Sequence, residues 1–257
     1  MPRPRDPRLF KDLRKAAVEG DLATLRSVLA ETDVAFDLAD SDLRPPLSHA
    51  AEAGHADVVE YLVMSGRFHV NYPDRADRTA LSWAAAEGHE HVLDVLLHFQ
   101  QTNVDKPDKR GHSPLAWAAV NGHTEIVRKL LTSRREIDID RHDWTENTPL
   151  SKAAHEGHED LVRLLLDAGA EVNTQDKDKL SPLMHAAAGG HDEVVRLLLQ
   201  KSSIPLDVKD EAGFTPLAWA AYSGNAAMVR LLLDTEEVGI DTKDNVGHTT
   251  LTSSDWW

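Results

Sequence analysis

Apolar residues recur along the chain in short clusters, and polar segments that contain glycine separate the clusters. In one cluster, Ile126 and Val127 form an apolar pair, and Leu130 and Leu131 form another pair four residues later. This spacing places both pairs on one side of an α-helix and predicts a broad buried stripe. Six clusters of this kind follow one another, and a segment with a leucine and paired alanines precedes each. The pattern therefore predicts pairs of short helices that repeat along the chain.

The paired alanines belong to a string with a regular period. A serine, threonine or proline comes first, proline usually follows, and a leucine then precedes two alanines. Six such strings begin at Pro45, Thr79, Ser113, Thr148, Ser181 and Thr215, and a last start, which lacks the alanine pair, lies at Thr249. The successive offsets are 34, 34, 35, 33, 34 and 34 residues. A Gly-His pair follows five of the strings, and Gly224-Asn225 follows the sixth. A period this strict predicts stacked repeats, because one helix pair cannot bury its apolar face alone.

The residue types in each string suit the ends of helices. A hydroxyl at the start can accept a free backbone N–H, and proline fits the first helical position. The glycine before histidine favours the left-handed conformation that ends a helix. A further glycine opens the turn between repeats at Gly111, Gly213 and Gly247, but other residues replace it elsewhere, namely Leu43, Asp77, Glu146 and Lys179. Because leucine, glutamate and lysine tolerate positive φ poorly, we expect another turn geometry in the first, fourth and fifth repeats.

The Thr-Pro-Leu, Ala-Ala and Gly-His motifs resemble those of the ankyrin repeat family, and the resemblance extends from about Leu13 onward. It implies an all-α ankyrin-repeat solenoid of stacked helix-turn-helix units with projecting β-hairpin loops. We expect a flexible basic segment at residues 1–10 and one repeat domain at 11–257. Within the domain we expect an N-terminal cap at about 11–40, six full repeats at about 41–243 and a truncated half-repeat at about 244–257. The half-repeat is either a simple cap or the end of a shortened chain, and we favour the second interpretation.

Composition narrows the classes of function. The formal net charge is −15, from 28 basic and 43 acidic residues, which argues against general nucleic-acid binding. The absence of cysteine excludes disulfides and thiolate metal sites. The first ten residues lack the apolar region of a signal peptide, and no apolar run is long enough to insert into a membrane. We expect a cytoplasmic or otherwise intracellular protein, with the nucleus also open, that is monomeric.

No motif for catalysis stands out. The chain has 14 histidines, but those of the Gly-His pairs recur one repeat apart, too far to share one zinc ion. The segment from His155 to His158 resembles a zincin motif superficially, yet its histidines are three residues apart and Gly157 lies between them. Phosphate-binding and nucleophile-elbow motifs are absent. We therefore expect no enzyme activity, no cofactor and no metal.

The resemblance implies that a partner binds to the hairpin tips and to the concave face of the first helices. One column of that face lies between the leucine and the alanine pair, and it consists of His49, Trp83, Trp117, Lys152, His185 and Trp219. Tryptophan is enriched in binding hot spots, so these residues and the nearby Tyr222 are candidates for partner contact. The alternative is that the rings pack between repeats as part of the core.

The tips supply the other candidates for partner contact. They carry Trp144 and a set of basic residues that includes Arg44, Arg75, Arg78, Lys109, Arg110 and Lys177. We predict a basic edge that receives an acidic segment of another protein; the alternative is a row of ordinary solvated turns. The predicted function is a non-catalytic protein-interaction module. The alternative is a targeting or assembly segment of a larger multidomain protein whose activity lies on other domains.

Two asparagines, Asn71 and Asn173, stand where ankyrin repeats of animals are substrates for hydroxylation, as the resemblance implies. The simpler interpretation, which we favour, is that each asparagine stabilises a turn.

Overall fold

The computed structural model describes residues 7–31, 39–133, 135–201, 204–235 and 238–249. In these ranges the chain forms fourteen α-helices in seven successive pairs. They are α1 (Pro7–Glu19), α2 (Leu22–Glu31), α3 (Pro46–Ala53), α4 (Ala56–Met64), α5 (Ala80–Glu87), α6 (Glu90–His98), α7 (Pro114–Val120), α8 (Thr124–Thr132), α9 (Pro149–Glu156), α10 (Glu159–Asp167), α11 (Pro182–Gly189), α12 (Asp192–Leu199), α13 (Pro216–Tyr222) and α14 (Ala226–Leu233). No strand occurs in the described ranges, where an isolated antiparallel bridge joins Lys243 to Thr249. The all-α repeat architecture is confirmed.

The helices form two compact units, an N-terminal unit of residues 1–138 and a C-terminal unit of residues 139–257. In the N-terminal unit the first helices α1, α3, α5 and α7 pack in sequence, and the second helices α2, α4, α6 and α8 form a parallel row. The C-terminal unit repeats this arrangement with α9, α11 and α13 and with α10, α12 and α14. The leucine and the first alanine of each first helix are buried, as is the first residue of each apolar pair on the second helices from α4 onward. Stacking of neighbouring pairs therefore produces the core of each unit.

Hydroxyl caps begin five of the six central first helices. The side chain of Thr79 accepts the backbone N–H of Ser82, and Ser113, Thr148, Ser181 and Thr215 cap their helices in the same way. Pro45 occupies this place in α3, which has no side-chain cap. The predicted capping is thus confirmed wherever a hydroxyl is present, and it satisfies a backbone donor that the helix leaves free.

Four of the Gly-His pairs link their repeat to the one before it. The imidazole Nε2 of His89 donates to the carbonyl oxygen of Glu52 at 2.7 Å, and His55, His123 and His191 make the same bond one repeat apart. Gly54 has a φ of 83°, and a Cβ there would lie 2.8 Å from the ring of His89. The glycine is therefore required both by its left-handed backbone and by the imidazole of the next repeat. No group of three metal-ligating side chains occurs in the described ranges.

The turns between repeats correct one expectation. Leu43, Asp77, Glu146 and Lys179 have φ values of 58°, 64°, 63° and 61°, so they adopt the same left-handed conformation as Gly111, Gly213 and Gly247. The prediction of another geometry for the first, fourth and fifth repeats was wrong. The reason is an aspartate three residues earlier, whose carboxylate accepts backbone N–H groups from across the turn. Asp176, for example, accepts those of Asp178 and Leu180 at 3.0 and 2.8 Å.

Adjacent turns are also joined tip to tip. The backbone N–H of Arg75 donates to the carbonyl of Asp42 at 2.7 Å, and that of Lys109 donates to Ala76 at 2.8 Å. None of the described helices is long and apolar enough to cross a membrane. Of the two terminal segments predicted, residues 1–6 and 250–257 lie outside the described ranges. The assignment of those segments and the exact repeat boundaries stay predictions.

Candidate functional site

Every residue of the first-helix column donates a hydrogen bond to an aspartate nine residues earlier in the chain. The carboxylate of Asp74 accepts the indole N–H of Trp83 at 3.0 Å, and that of Asp143 accepts the ammonium of Lys152 at 2.6 Å. The remaining pairs are His49 with Asp40 at 2.9 Å, Trp117 with Asp108 at 3.1 Å, His185 with Asp176 at 2.9 Å and Trp219 with Asp210 at 2.9 Å. The column therefore requires an N–H donor rather than an apolar side chain, which explains why histidine, lysine and tryptophan alternate there.

The partner aspartates form a second column that sequence reasoning missed. Five of them, Asp74, Asp108, Asp143, Asp176 and Asp210, are at most 8% exposed. One carboxylate oxygen accepts backbone N–H groups of the turn, and the other accepts the donor on the first helix. The signal was present, because an aspartate stands nine residues before each column residue. It was overlooked because only the folded chain brings the turn against the helix.

Hydrogen bonding keeps two of these aspartates, Asp108 and Asp143, ionised despite their burial. Burial by itself raises the pKa of Asp108. Hydrogen bonds from His112 and Arg110 lower this pKa by more than burial raises it, so that the pKa lies below its ordinary value. The same balance, with Lys152 and Thr145 as donors, lowers the pKa of Asp143. Burial also lowers the pKa of His49 and His185, more than the adjacent carboxylates raise it. The two histidines therefore act as neutral donors near neutral pH.

In the N-terminal unit the tryptophans of the column stack with arginines. The guanidinium carbon of Arg78 lies 3.5 Å from the ring centre of Trp83 and 4.1 Å from that of Trp117. That of Arg44 lies 3.7 Å from the centre of Trp83, and the ring of His112 lies 4.8 Å from Trp117. The Nε and Nη2 atoms of Arg78 are buried without a hydrogen-bond partner. Both tryptophans keep partly exposed surface, so the rings are at once packed between repeats and accessible.

The basic residues of the tips divide into two groups. Arg44 and Arg78 turn onto the tryptophans, and Arg44 also pairs with Glu52 at 2.5 Å. Arg75, Lys109 and Arg110 are exposed at the tips. The ammonium of Lys109 donates to the carbonyl of Arg75 at 2.6 Å. The exposed basic charge at this edge is therefore smaller than the sequence suggests.

The C-terminal unit holds the other candidates. Lys152 and His185 lie on adjacent first helices, and the ring of His185 lies 5.6 Å from that of His155. Trp219 packs with Phe214 and Tyr222 at centroid distances of 5.5 and 5.8 Å. Tyr222 is 56% exposed.

Two tip residues complete the candidates of the C-terminal unit. Trp144 is 66% exposed, and the tip that carries it is joined to the next by a bond from the N–H of Lys177 to the carbonyl of Thr145. Of the fourteen predicted contact residues, eight thus belong to the N-terminal unit and six to the C-terminal unit.

The two asparagines differ in their surroundings. The side-chain amide of Asn71 donates to the carbonyl of Gln101, and its oxygen accepts the N–H of Asn103, both at 2.7 Å. Aspartates accept at the same place in other repeats: Asp140 accepts from Glu171, and Asp207 accepts from Gly239. The position therefore needs an acceptor that ties neighbouring repeats together, which supports the turn-stabilising interpretation for Asn71. Asn173 is exposed, and the turn-stabilising interpretation stays a prediction there.

Comparison with known families agrees with this architecture. A family model described as ankyrin repeats in three copies matches residues 13–108, 96–176 and 169–245. No individual curated protein matches the chain at a significant level.

Proposed function

Because the chain belongs to the ankyrin repeat family, whose members are generally protein–protein interaction modules and typically not enzymes, we propose that it binds a partner protein through its first-helix face and its turn tips. The observation that carries the proposal is the first-helix column, where partly exposed tryptophans are held in fixed orientations. An indole bonded to a buried carboxylate and stacked on neighbouring side chains has little conformational freedom left to lose. Rigid aromatic side chains of this kind bind at low entropic cost.

The tips supply a polar rim around the column. Arg75, Lys109 and Arg110 are exposed in the N-terminal unit, and Trp144 and Lys177 are exposed in the C-terminal unit. Charges at a rim steer association and discriminate between partners more than they add affinity. An acidic segment of the partner fits the exposed basic residues of the N-terminal unit.

Replacing tryptophan by histidine tests the column without removing the hydrogen bond to aspartate. His49 and His185 show that histidine makes that bond. We expect the double variant Trp83→His, Trp117→His to fold but to capture less of the partner from a lysate than the parent does. The affinity of both proteins is then measured directly with the purified partner. A matched control replaces Glu125 and Arg128, which are exposed on the second helix α8, by alanine. If both variants bind the partner as the parent does, the first-helix face is not the binding surface.

Charge reversal tests the rim separately. We expect Arg75→Glu with Arg110→Glu to slow association with an acidic partner, and the difference from the parent to shrink as salt is added. An association rate equal to that of the parent at low salt contradicts the acidic partner but leaves the column untouched.

A further inference from the structure

Two indole rings of the column stack with arginine side chains of the same chain. In the N-terminal unit, Trp83 stacks with the arginine five residues before it, Arg78, and with Arg44, which holds the same position in the preceding repeat. Trp117 follows the same rule, with His112 five residues before it and Arg78 in the preceding repeat. The chain itself therefore shows which side chain suits an indole at this column, namely a planar guanidinium.

Trp219 in the C-terminal unit has no such neighbour. The two equivalent positions hold Phe214 and Leu180, neither of which carries a charge. Instead, Phe214, Trp219 and Tyr222 form a three-ring cluster with centroid distances of 5.5, 5.8 and 6.2 Å. No arginine or lysine of the described ranges stacks on any of these rings. Tyr222 is more than half exposed, so the cluster is open to an incoming side chain.

We propose that the cluster of Phe214, Trp219 and Tyr222 is a subsite for an arginine side chain of the partner protein. This inference rests on the proposed function, because it gives the chemistry of one position on the first-helix face. The faces of aromatic rings attract cations, and a guanidinium stacks on them while losing less hydration than an ammonium does.

Charge around the subsite favours the same ligand. Asp210, which is 8% exposed, accepts the indole N–H of Trp219, and the exposed Glu211 follows it in the turn. The net charge of −15 adds a general attraction for a basic segment. The preference is therefore opposite to that of the exposed basic tips in the N-terminal unit.

A peptide probe tests the subsite directly. A fluorescein-labelled glycine–serine peptide that carries arginines is titrated with the full chain at low salt, and anisotropy reports binding. The control peptide carries citrulline, which has the shape of arginine without its charge. We expect the arginine peptide to bind more tightly than the citrulline peptide. Tyr222→Ala should weaken the arginine peptide about two- to fivefold, as expected for a partly exposed cation–π contact.

Two further variants separate the cluster from exposed apolar surface in general. Phe214→Arg gives Trp219 the guanidinium that Trp83 already has, so we expect it to occupy the subsite and reduce binding of the arginine peptide. Met64→Ala removes an exposed apolar side chain of the second helix α4, outside the proposed binding face, and we expect it to leave the affinity unchanged. Circular dichroism and thermal melting confirm that each variant is folded.

Any one of three results overturns the inference. The arginine peptide does not bind, the citrulline peptide binds with equal affinity, or neither Tyr222→Ala nor Phe214→Arg changes the affinity for the arginine peptide. Each of them leaves the proposed function standing, since that function is tested on the partner with Trp83→His and Trp117→His. Conversely, if Trp83→His and Trp117→His leave partner binding unchanged, the proposed function fails but the peptide result is not affected.

Discussion

The column residues of both units donate the same type of hydrogen bond to an aspartate, but the two units differ in what surrounds the donor. In the N-terminal unit, Trp83 and Trp117 are stacked with Arg44, Arg78 and His112. In the C-terminal unit the column begins with Lys152 and His185, and Trp219 packs with Phe214 and Tyr222. A constant bond to aspartate thus fixes the frame. The position five residues before the column, in the same repeat or in the preceding one, decides whether a tryptophan is supplied with a cation. The hydrogen bond and the stacking are therefore controlled by different positions of one repeat.

The largest effect should come from breaking the shared frame. We expect Asp108→Ala to destabilise the protein by about 3 kcal/mol, because it leaves the N–H groups of Arg110, His112 and Trp117 without their acceptor. Asp108→Asn keeps an acceptor for the turn but presents an N–H to the indole, and about 1–2 kcal/mol should be lost. Urea unfolding measures both variants.

The exposed Asp42 provides a control, since Asp42→Ala should change stability by less than about 0.5 kcal/mol. Asp210→Ala in the C-terminal unit should cost about as much as Asp108→Ala. A much smaller loss at Asp210 would contradict the idea that the two units share this frame.

The difference between the units can be reduced by removing the cation. Arg78→Ala should destabilise the protein by about 1 kcal/mol, because two stacking contacts are lost while the cost of burying two unpaired nitrogens is recovered. Arg75→Ala, an exposed arginine of the same turn, is the control and should have little effect in thermal melting. An increase in stability for Arg78→Ala would mean that the burial cost exceeds the stacking contribution.

The turns provide a smaller test within one unit. Lys179 and Gly213 occupy the same left-handed position in successive repeats. We expect Lys179→Gly to stabilise the protein by about 0.5 kcal/mol, since relief of left-handed strain of about 1–2 kcal/mol exceeds the added chain entropy of glycine. Gly213→Lys should destabilise the protein by more than this, because a Cβ there would also lie 2.7 Å from the backbone nitrogen of Asn245. Denaturant midpoints decide the matter, and equal midpoints for parent and variants would show that the aspartate bonds absorb the strain.

The smallest expected effect concerns pH. The folded state lowers the pKa of His185 mainly through burial, so the unfolded chain binds a proton more readily. Stability contributed by the neutral ring is complete above the unfolded pKa of about 6.5 and decreases as the pH falls below it. His185→Trp, which keeps the donor to Asp176, should therefore show a smaller fall in melting temperature between pH 7 and pH 5. The exposed His98, replaced by glutamine, is the control; an unchanged pH dependence in His185→Trp would exclude this histidine as the cause.

Sequence reasoning predicted the repeat period, the helix pairs and the capped helix starts, because each depends on local residue order. It failed at the turns of Leu43, Glu146 and Lys179, where propensity argued against positive φ. A single residue's preference of about 1–2 kcal/mol is outweighed by several hydrogen bonds to one buried carboxylate. It also placed Arg44 and Arg78 with the basic tips, because nothing in their local sequence shows that a tryptophan one repeat away will attract them.

By itself, then, the sequence determined the fold: a helix pair repeated every 33 to 35 residues can bury its apolar stripes only by stacking. Only the tertiary structure decided which side chains contact one another on the first-helix face. It brought each aspartate against a donor nine residues away, and it brought Arg78 against the indoles of its own repeat and of the next one. Local order sets which residues face the core, because helical periodicity acts over a few residues. Contacts on the first-helix face join residues that come together only once the repeats have stacked.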